Sequence, residues 1–416
     1  MKKFLALSLI LMLGLVIAAC GEREQPDMQM MWFSDGIEGE VMEDMLERYR
    51  EETGVWIELF EIGWDDYETR LGTMVDGDDA PDLIRTTEGV MNNFKEHFVS
   101  LDGVYDEAGF TNIFYNDDNE PIGLPMDVTA NGLYVNLELL DAHEVEYPVH
   151  DGENWIFNGE ERVWTWTEFV TEMEKLVGAE GVTYPGTYDP QGHRFMPMIY
   201  QQGIKIWDEP FVSTNLTSDE AVAALTLLQD FYHGDLVDDA PIANWNPGGA
   251  PSNFETGMYG FHMSGNWFAS DYATLDFDWT VAPMPTGETG VRATLLGGKS
   301  MSAMQGENVD MALDFITWLA EPANHDEFNN GVPFLSGRIG AEIDFGELEG
   351  PYQVFQDEIN ATPAEYAADW LQMTQVVGIY PIINDMVQDV ADPNGLTPLE
   401  ALEKVEQAIM DSLEDN

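Results

Sequence analysis

A short apolar run, Met28 to Phe33, is followed by an amphipathic stretch from about Ile37 to Glu52 and then by alternating Val55, Ile57 and Leu59. Helical spacing puts Ile37, Val41, Met45, Leu46 and Tyr49 on one face, whereas period-two alternation puts the later three on one side of a strand. Ser34-Asp35-Gly36 supplies an N-cap, and Thr53-Gly54 ends the helix with a residue that tolerates left-handed backbone. Strand, helix and strand in this order leave little choice of topology. The strands pair in parallel and the helix crosses over right-handed, as nearly all such units do. The chain is thereby committed to an α/β sheet flanked by helices.

Later helix starts repeat the theme. Thr165 with Glu168, Thr217 with Glu220, and Thr397-Pro398 with Glu400 have capping-box spacing, and each precedes a helical apolar stripe. With 416 residues, 44% of them hydrophobic, the chain has material for more than one core, and two domains are expected. Tryptophans in Trp155 to Trp166 and in Asn244 to Pro251 stand among turn residues, which predicts large rings carried on loops.

The N-terminus gives the location. Lys2 and Lys3, an apolar stretch from Phe4 to Ile17 and small residues up to Cys20 describe a cleaved signal peptide, too short and wrongly flanked for a membrane span. Cys20 is the only cysteine in the chain. The run Ile17-Ala18-Ala19-Cys20 resembles the lipobox of bacterial lipoproteins, which implies a lipidated Cys20 as first mature residue, held at the membrane by its lipid alone. Residues 1–19 are then the signal and 20–27 a polar tether.

Charge narrows the partners. With 78 acidic and 16 basic residues the net charge is 16 − 78 = −62, which argues against nucleic acid and anionic lipid surfaces. Charge spread along the whole chain at this density fits a salty habitat, where the Debye length shrinks to about 3 Å at 1 M salt and repulsion is screened.

Several segments, in order, resemble the maltose-binding type of extracellular solute-binding proteins. They are Ala80-Pro81-Asp82-Leu83, Gly123-Leu124-Pro125-Met126-Asp127, Trp164-Thr165-Trp166-Thr167-Glu168-Phe169, Gly265-Asn266-Trp267, Val281-Ala282-Pro283-Met284-Pro285 and Gly297-Gly298-Lys299. The resemblance implies a two-lobed periplasmic-binding-protein fold of type II. Each lobe is a mixed sheet flanked by helices, with residues 28–126 plus 283–325 in the first lobe and 127–282 plus 326–416 in the second. It also implies a monomer that captures a solute between the lobes and delivers it to an ATP-binding-cassette permease, with no cofactor.

Sugar sites pair flat rings with hydrogen-bonding carboxylates and amides, and this chain is rich in both. Trp267 matches the family position whose ring stacks on the ligand, and Trp370 falls where a second stacking ring is often supplied. Arg338 stands where the family commonly has Pro-x-Arg, although Pro333 to Arg338 is longer here. Asp127 is expected at the cleft floor, and Ser34 and Asp35 end the first strand, where open parallel sheets bind ligands. Trp245, Trp64, Glu61, Trp207, Trp370 and Arg338 are weaker candidates, Trp370 fitting the core as well as the cleft; Lys299 faces the cleft or sits in a turn, and Asp82 ties down its own strand. Scarce cations favour a neutral mono- or oligosaccharide over an anionic ligand. A betaine or polyamine remains open, because tryptophans beside acids also form cages for cations.

An exported glycoside hydrolase is the rival class. No His-Glu-x-x-His or Gly-x-Ser-x-Gly motif is present, and the sole cysteine is committed to lipid. Asp76 to Asp79 and Asn116 to Glu120 are acidic enough for calcium but lack the EF-hand spacing, so they read as solvated turns and no metal is expected.

Overall fold

The computed structural model describes residues 25–34, 36–239, 249–295, 297–332 and 334–414. The signal segment and Cys20, along with Asp35 and Trp245, lie outside the described residues.

The opening unit forms as its periodicity requires. β1 (Met28–Trp32), α1 (Glu38–Thr53) and β2 (Ile57–Glu61) make a parallel pair, with Met28 opposite Ile57 and Trp32 opposite Glu61. Met42, Met45, Leu46 and Tyr49 point inward, and Gly54 closes the helix at φ 83°. Ile37, not the expected serine, occupies the cap position of α1 and offers it no side-chain bond. Ser34 serves from farther back, its Oγ accepting the Gly39 N–H at 3.1 Å. Glu38 accepts the Gly36 N–H at 2.6 Å.

α2 (Trp64–Asp76), β3 (Leu83–Thr86), α3 (Glu88–Asn93) and the short β4 (Leu124–Pro125) follow. The chain then leaves this sheet to build a second one from β5 (Asn131–Asn136), β6 (Tyr184–Tyr188), β7 (Tyr259–Gly265) and β8 (Trp279–Ala282). It returns as β9 (Ser300–Ala303). The first sheet has the order β2-β1-β3-β9-β4, with β9 antiparallel to both neighbours, and the second has the order β8-β5-β7-β6.

Each sheet has its own core. Met30, Trp32 and Leu83 pack with Phe315 and Ile316 of α7 (Val309–Ala320) and Phe328 of α8 (Pro322–Gly331). On the second sheet, Leu133 and Phe261 pack with α4 (Trp166–Glu174), α5 (Gly192–Gln201) and α6 (Asp219–His233), and with α10 (Ala364–Met373), α11 (Ile379–Ala391) and α12 (Pro398–Glu414). α9 (Glu349–Ala361) covers the sheet's other face through Tyr352 and Phe355. Met284, Ala293 and Leu295 join the second core, so the chain stays with that lobe beyond the expected boundary at Ala282.

Caps decide several helix starts. Thr165 and Glu168 form the full capping box, and Glu400 Oε2 accepts the Thr397 N–H at 3.0 Å. At α6 the cap is Ser218 rather than Thr217, its oxygen accepting from Ala221 N–H. The buried stripe of Ala221, Leu225 and Leu228 fixes the helix register, and that register puts the second hydroxyl at the end. Trp164 and Trp166 correct the loop expectation, being 0% and 4% exposed. Their indole N–H groups donate to Pro283 O at 2.9 Å and Gln201 Oε1 at 2.8 Å, so the rings turn under the turn-rich backbone without losing a hydrogen bond.

Candidate functional site

The ends of β1, β2 and β3 and the crossing after β4 meet at one edge of the first sheet. Arg85, the third residue of β3, is fully buried there and ties the edge together. Its guanidinium donates to Phe33 O, lies 3.0 Å from Glu38 Oε1 and 3.7 Å from Asp127 Oδ2, and stacks 4.6 Å from the Phe33 ring. Asp127 also accepts the Lys299 N–H at 3.2 Å, with Lys299 Nζ 3.8 Å away. Among the described residues the buried Lys and Arg side chains are Arg85, Arg194 and Lys299, and all three stand here or across the cleft. Burying a cation requires a matched anion, so this clustering places tightly constrained charges at the cleft.

Across from that floor, β7 ends in Gly265 and the chain turns through Asn266 into Trp267. The Trp267 ring folds back over Gly265 so closely that a Cβ there would lie 1.7 Å from Cζ3. Only glycine leaves that space. Arg194 of α5 places its guanidinium 4.1 Å from the indole centroid, and Lys299 Nζ is 5.4 Å from it. Arg194 is anchored behind by Asn131 Oδ1 at 3.0 Å and by Asp189 Oδ2 at 3.5 Å from its Nε. Burial works against the Asp189 charge, but His262, Arg194 and Ser264 outweigh it and hold the carboxyl below its usual range.

The lobes touch across this site. Tyr380, at the start of α11, seats on Gly89 of α3, where a Cβ would lie 2.7 Å from its ring. His193 lies edge-on to Tyr380 at 5.6 Å. Glu88, next to Gly89, is 7% exposed and its carboxyl is pushed up to about 7 by burial, a rise opposed by nearby N–H groups and Lys299. Burial likewise holds His193 well below the usual histidine range, and hence uncharged. The contacts close a circuit through Glu88, Lys299, Trp267, Arg194, His193 and Tyr380. Replacing Gly265 by Ala is expected to expel the indole from that circuit. The near-ultraviolet circular dichroism should then change as much as it does in Trp267→Phe, with the far-ultraviolet spectrum preserved.

The residues singled out from sequence are placed as follows. Trp267 is in the circuit, and Lys299 is buried against it instead of standing in an exposed turn. Asp127 is 1% exposed, its carboxylate facing the two cations of the floor. Ser34 donates to Glu61 Oε1, and Trp64, 50% exposed, packs 4.8 Å from Phe33, so these three form a lip at the ends of β1 and β2. Trp370 is a core residue, 3% exposed, that reaches the site only through an edge contact with Tyr380. Trp207 is fully buried in the core. Arg338 turns to Asp326 of α8, with Nε 2.7 Å from Oδ1, and lines a separate 270 Å³ groove with Tyr105 and Pro322. Its family position does not bring it to Trp267, because the longer segment after Pro333 carries it past Asp127 to the side of α8. Asp82 ties strands as expected, accepting the Gln29 N–H at 2.8 Å.

Glu88, Asn131, His193, Arg194 and Tyr380 were not found from sequence. Their one available signal was scarcity: in a chain with 16 basic residues, an arginine directly before an apolar stretch, as Arg194 stands before Phe195 to Tyr200, needs an explanation. Among the described residues no cluster of His, Cys, Asp or Glu is placed to hold a metal ion. Asn116 Oδ1 instead accepts the N–H of Asp118 and of Glu120, closing a turn.

Two mixed sheets joined by crossings, with a site between them, define a two-lobed binding-protein fold. The family model described as bacterial extracellular solute-binding protein matches residues 44–342, and the chain belongs to that family. Among functionally curated proteins none matches. Solved structures agree on the fold. The GacH receptor of Streptomyces glaucescens, determined unliganded and with acarbose, superimposes with a TM-score of 0.76 at 17% identity over 94% of this chain and 100% of that one. Lmo0181 from Listeria monocytogenes, bound to cycloalternan, gives 0.73 at 19% identity over 94% and 100%. UgpB from Mycobacterium tuberculosis, bound to glycerophosphocholine, gives 0.73 at 17% over 94% and 99%. Among the described residues no helix is long and apolar enough to cross a membrane.

Proposed function

We propose that this protein is a lipid-anchored extracytoplasmic receptor that captures a neutral carbohydrate between its lobes and delivers it to an ATP-binding-cassette permease. One observation carries the reading: a Trp267 indole ringed by buried hydrogen-bonding side chains whose charges are matched in pairs. Arg194 answers Asp189, while Lys299 and Arg85 answer Asp127 and Glu38. A ring for the C–H faces and fixed polar groups for the hydroxyls suit a sugar, and matched charges suit an uncharged one. The acarbose and cycloalternan complexes of similar structures point the same way. A cationic solute is disfavoured, because Arg194 at 4.1 Å and Lys299 at 5.4 Å already put positive charge beside the indole, which would repel it. The lipid at Cys20 would keep the receptor near its permease by raising effective concentration.

The test is a tryptophan-fluorescence titration in molar salt with maltose, maltotriose, cellotriose, glycine betaine and spermidine. Saturable binding of a saccharide is expected, with no product after prolonged incubation. Trp267→Ala should weaken that binding by about 1–3 kcal/mol, by analogy with the loss of an aromatic stacking platform. A response to betaine or spermidine alone would move the ligand class, and turnover of the sugar would end the receptor reading.

A further inference from the structure

Three buried polar atoms around Trp267 have no hydrogen-bond partner: Glu88 Oε1, Asn131 Nδ2 and His193 Nδ1. Leaving such atoms unpaired costs about 1–3 kcal/mol each, so their convergence on one place calls for a cause. They come from three separate elements, α3 of the first lobe and β5 and α5 of the second. Glu88 and His193 belong to the circuit already described, and Asn131 braces it from behind. Glu88 adjoins Gly89, on which Tyr380 rests, while His193 faces Tyr380 and Asn131 holds Arg194.

We infer that these three side chains read the hydroxyl groups of the bound solute, Glu88 from one lobe and Asn131 and His193 from the other. The inference rests on the carbohydrate reading above and names how that ligand is recognised. The atoms divide the work. Asn131 Oδ1 accepts from Arg194 Nη1, which can only donate, and this fixes the amide so that Nδ2 is left as a donor. Glu88 Oε1 offers an acceptor, and the uncharged His193 ring offers at Nδ1 whichever role its tautomer leaves. A hydroxyl donates and accepts at once, so neighbouring hydroxyls satisfy a set of this kind where a purely cationic or purely anionic ligand would leave one member opposed. Because the set is divided between lobes, a solute bridging it also holds Tyr380 against Gly89, coupling recognition to closure.

Two isosteric variants test this. Glu88→Gln replaces the carboxylate by an amide of the same shape, and Asn131→Asp removes the Nδ2 donor while keeping an acceptor for Arg194. Whichever of maltose, maltotriose or cellotriose the wild type binds is titrated into both, together with its monodeoxy analogues. Each variant, melting cooperatively, is expected to bind the parent sugar at least tenfold more weakly. For each variant one deoxy analogue should abolish that difference from wild type. Parent-sugar affinities within twofold of wild type in both variants would overturn the inference and leave the receptor reading intact. An equal loss for the parent sugar and every analogue would also overturn it, since the effect would then be structural. A wild type that binds none of the three sugars would instead overturn the carbohydrate reading, and this inference with it.

Discussion

Replacing Arg85 by Met should cost about 3–5 kcal/mol of folding stability, measured by chemical denaturation in molar salt, because it leaves buried carboxylates without their cation. Glu38 and Asp127 are 0% and 1% exposed, and both face the Arg85 guanidinium. Lys299 still stands 3.8 Å from Asp127, and Glu38 still accepts the Gly36 N–H, but neither carboxylate keeps the shared guanidinium. The same guanidinium holds Phe33 O, so the loss also frees the end of β1 from β3. Removing all three charges together, as Glu38→Gln, Arg85→Met and Asp127→Asn, should recover most of the stability. Replacing a whole buried ion set by neutral groups is often close to neutral, whereas breaking it is not. A single Arg85→Met variant within 1 kcal/mol of wild type would mean that water reaches these carboxylates, and the floor is then not closed as described.

Glu88 gives a second large effect, one that depends on pH. Its carboxyl titrates near 7 in the folded protein against an ordinary value of 4.5. Between those values the folded state holds a proton that the unfolded state has lost, so stability falls as pH rises from about 4.5 to 7. At about 1.4 kcal/mol per pH unit the full swing is roughly 3 kcal/mol. Burial sets the rise; of the charged neighbours Lys299 favours the carboxylate and Asp127 opposes it, with Tyr380 across the lobes. Many other carboxylates titrate in this window, so the quantity to measure is the difference between wild type and Glu88→Gln. That difference should favour the variant progressively as pH rises from 5 to 8. A pH-independent difference would place the Glu88 carboxyl in water.

Local signals carried the fold well. The opening strand, helix and strand, the Thr165 capping box and the Thr397 cap were legible, because each rests on neighbours within a few residues. The site was legible only where one segment holds its own logic. Trp267 stands beside the glycine it needs, but Glu88, Asn131, His193 and Tyr380 meet solely because two crossings bring distant segments together. Asp127 and Arg338 illustrate the same limit. Their positions along the chain were informative, yet whether an acid or a base faces the cleft depends on partners such as Arg85 and Asp326, which no local pattern reveals.

The placement of β9 has a consequence for how the molecule comes into being. Pro125 and Ser300 are register partners, and β9 is the strand that joins β4 to the rest of its sheet, although the entire second sheet is synthesised between them. Until Ala303 has been made, β3 has an open edge facing the missing strand, a template for pairing with other chains, and β4 has nothing to pair with. Closing so long a loop is slow unless the intervening segment is already compact. A fragment ending at Ala282 would carry every residue of the second sheet and still lack the strand that completes the first.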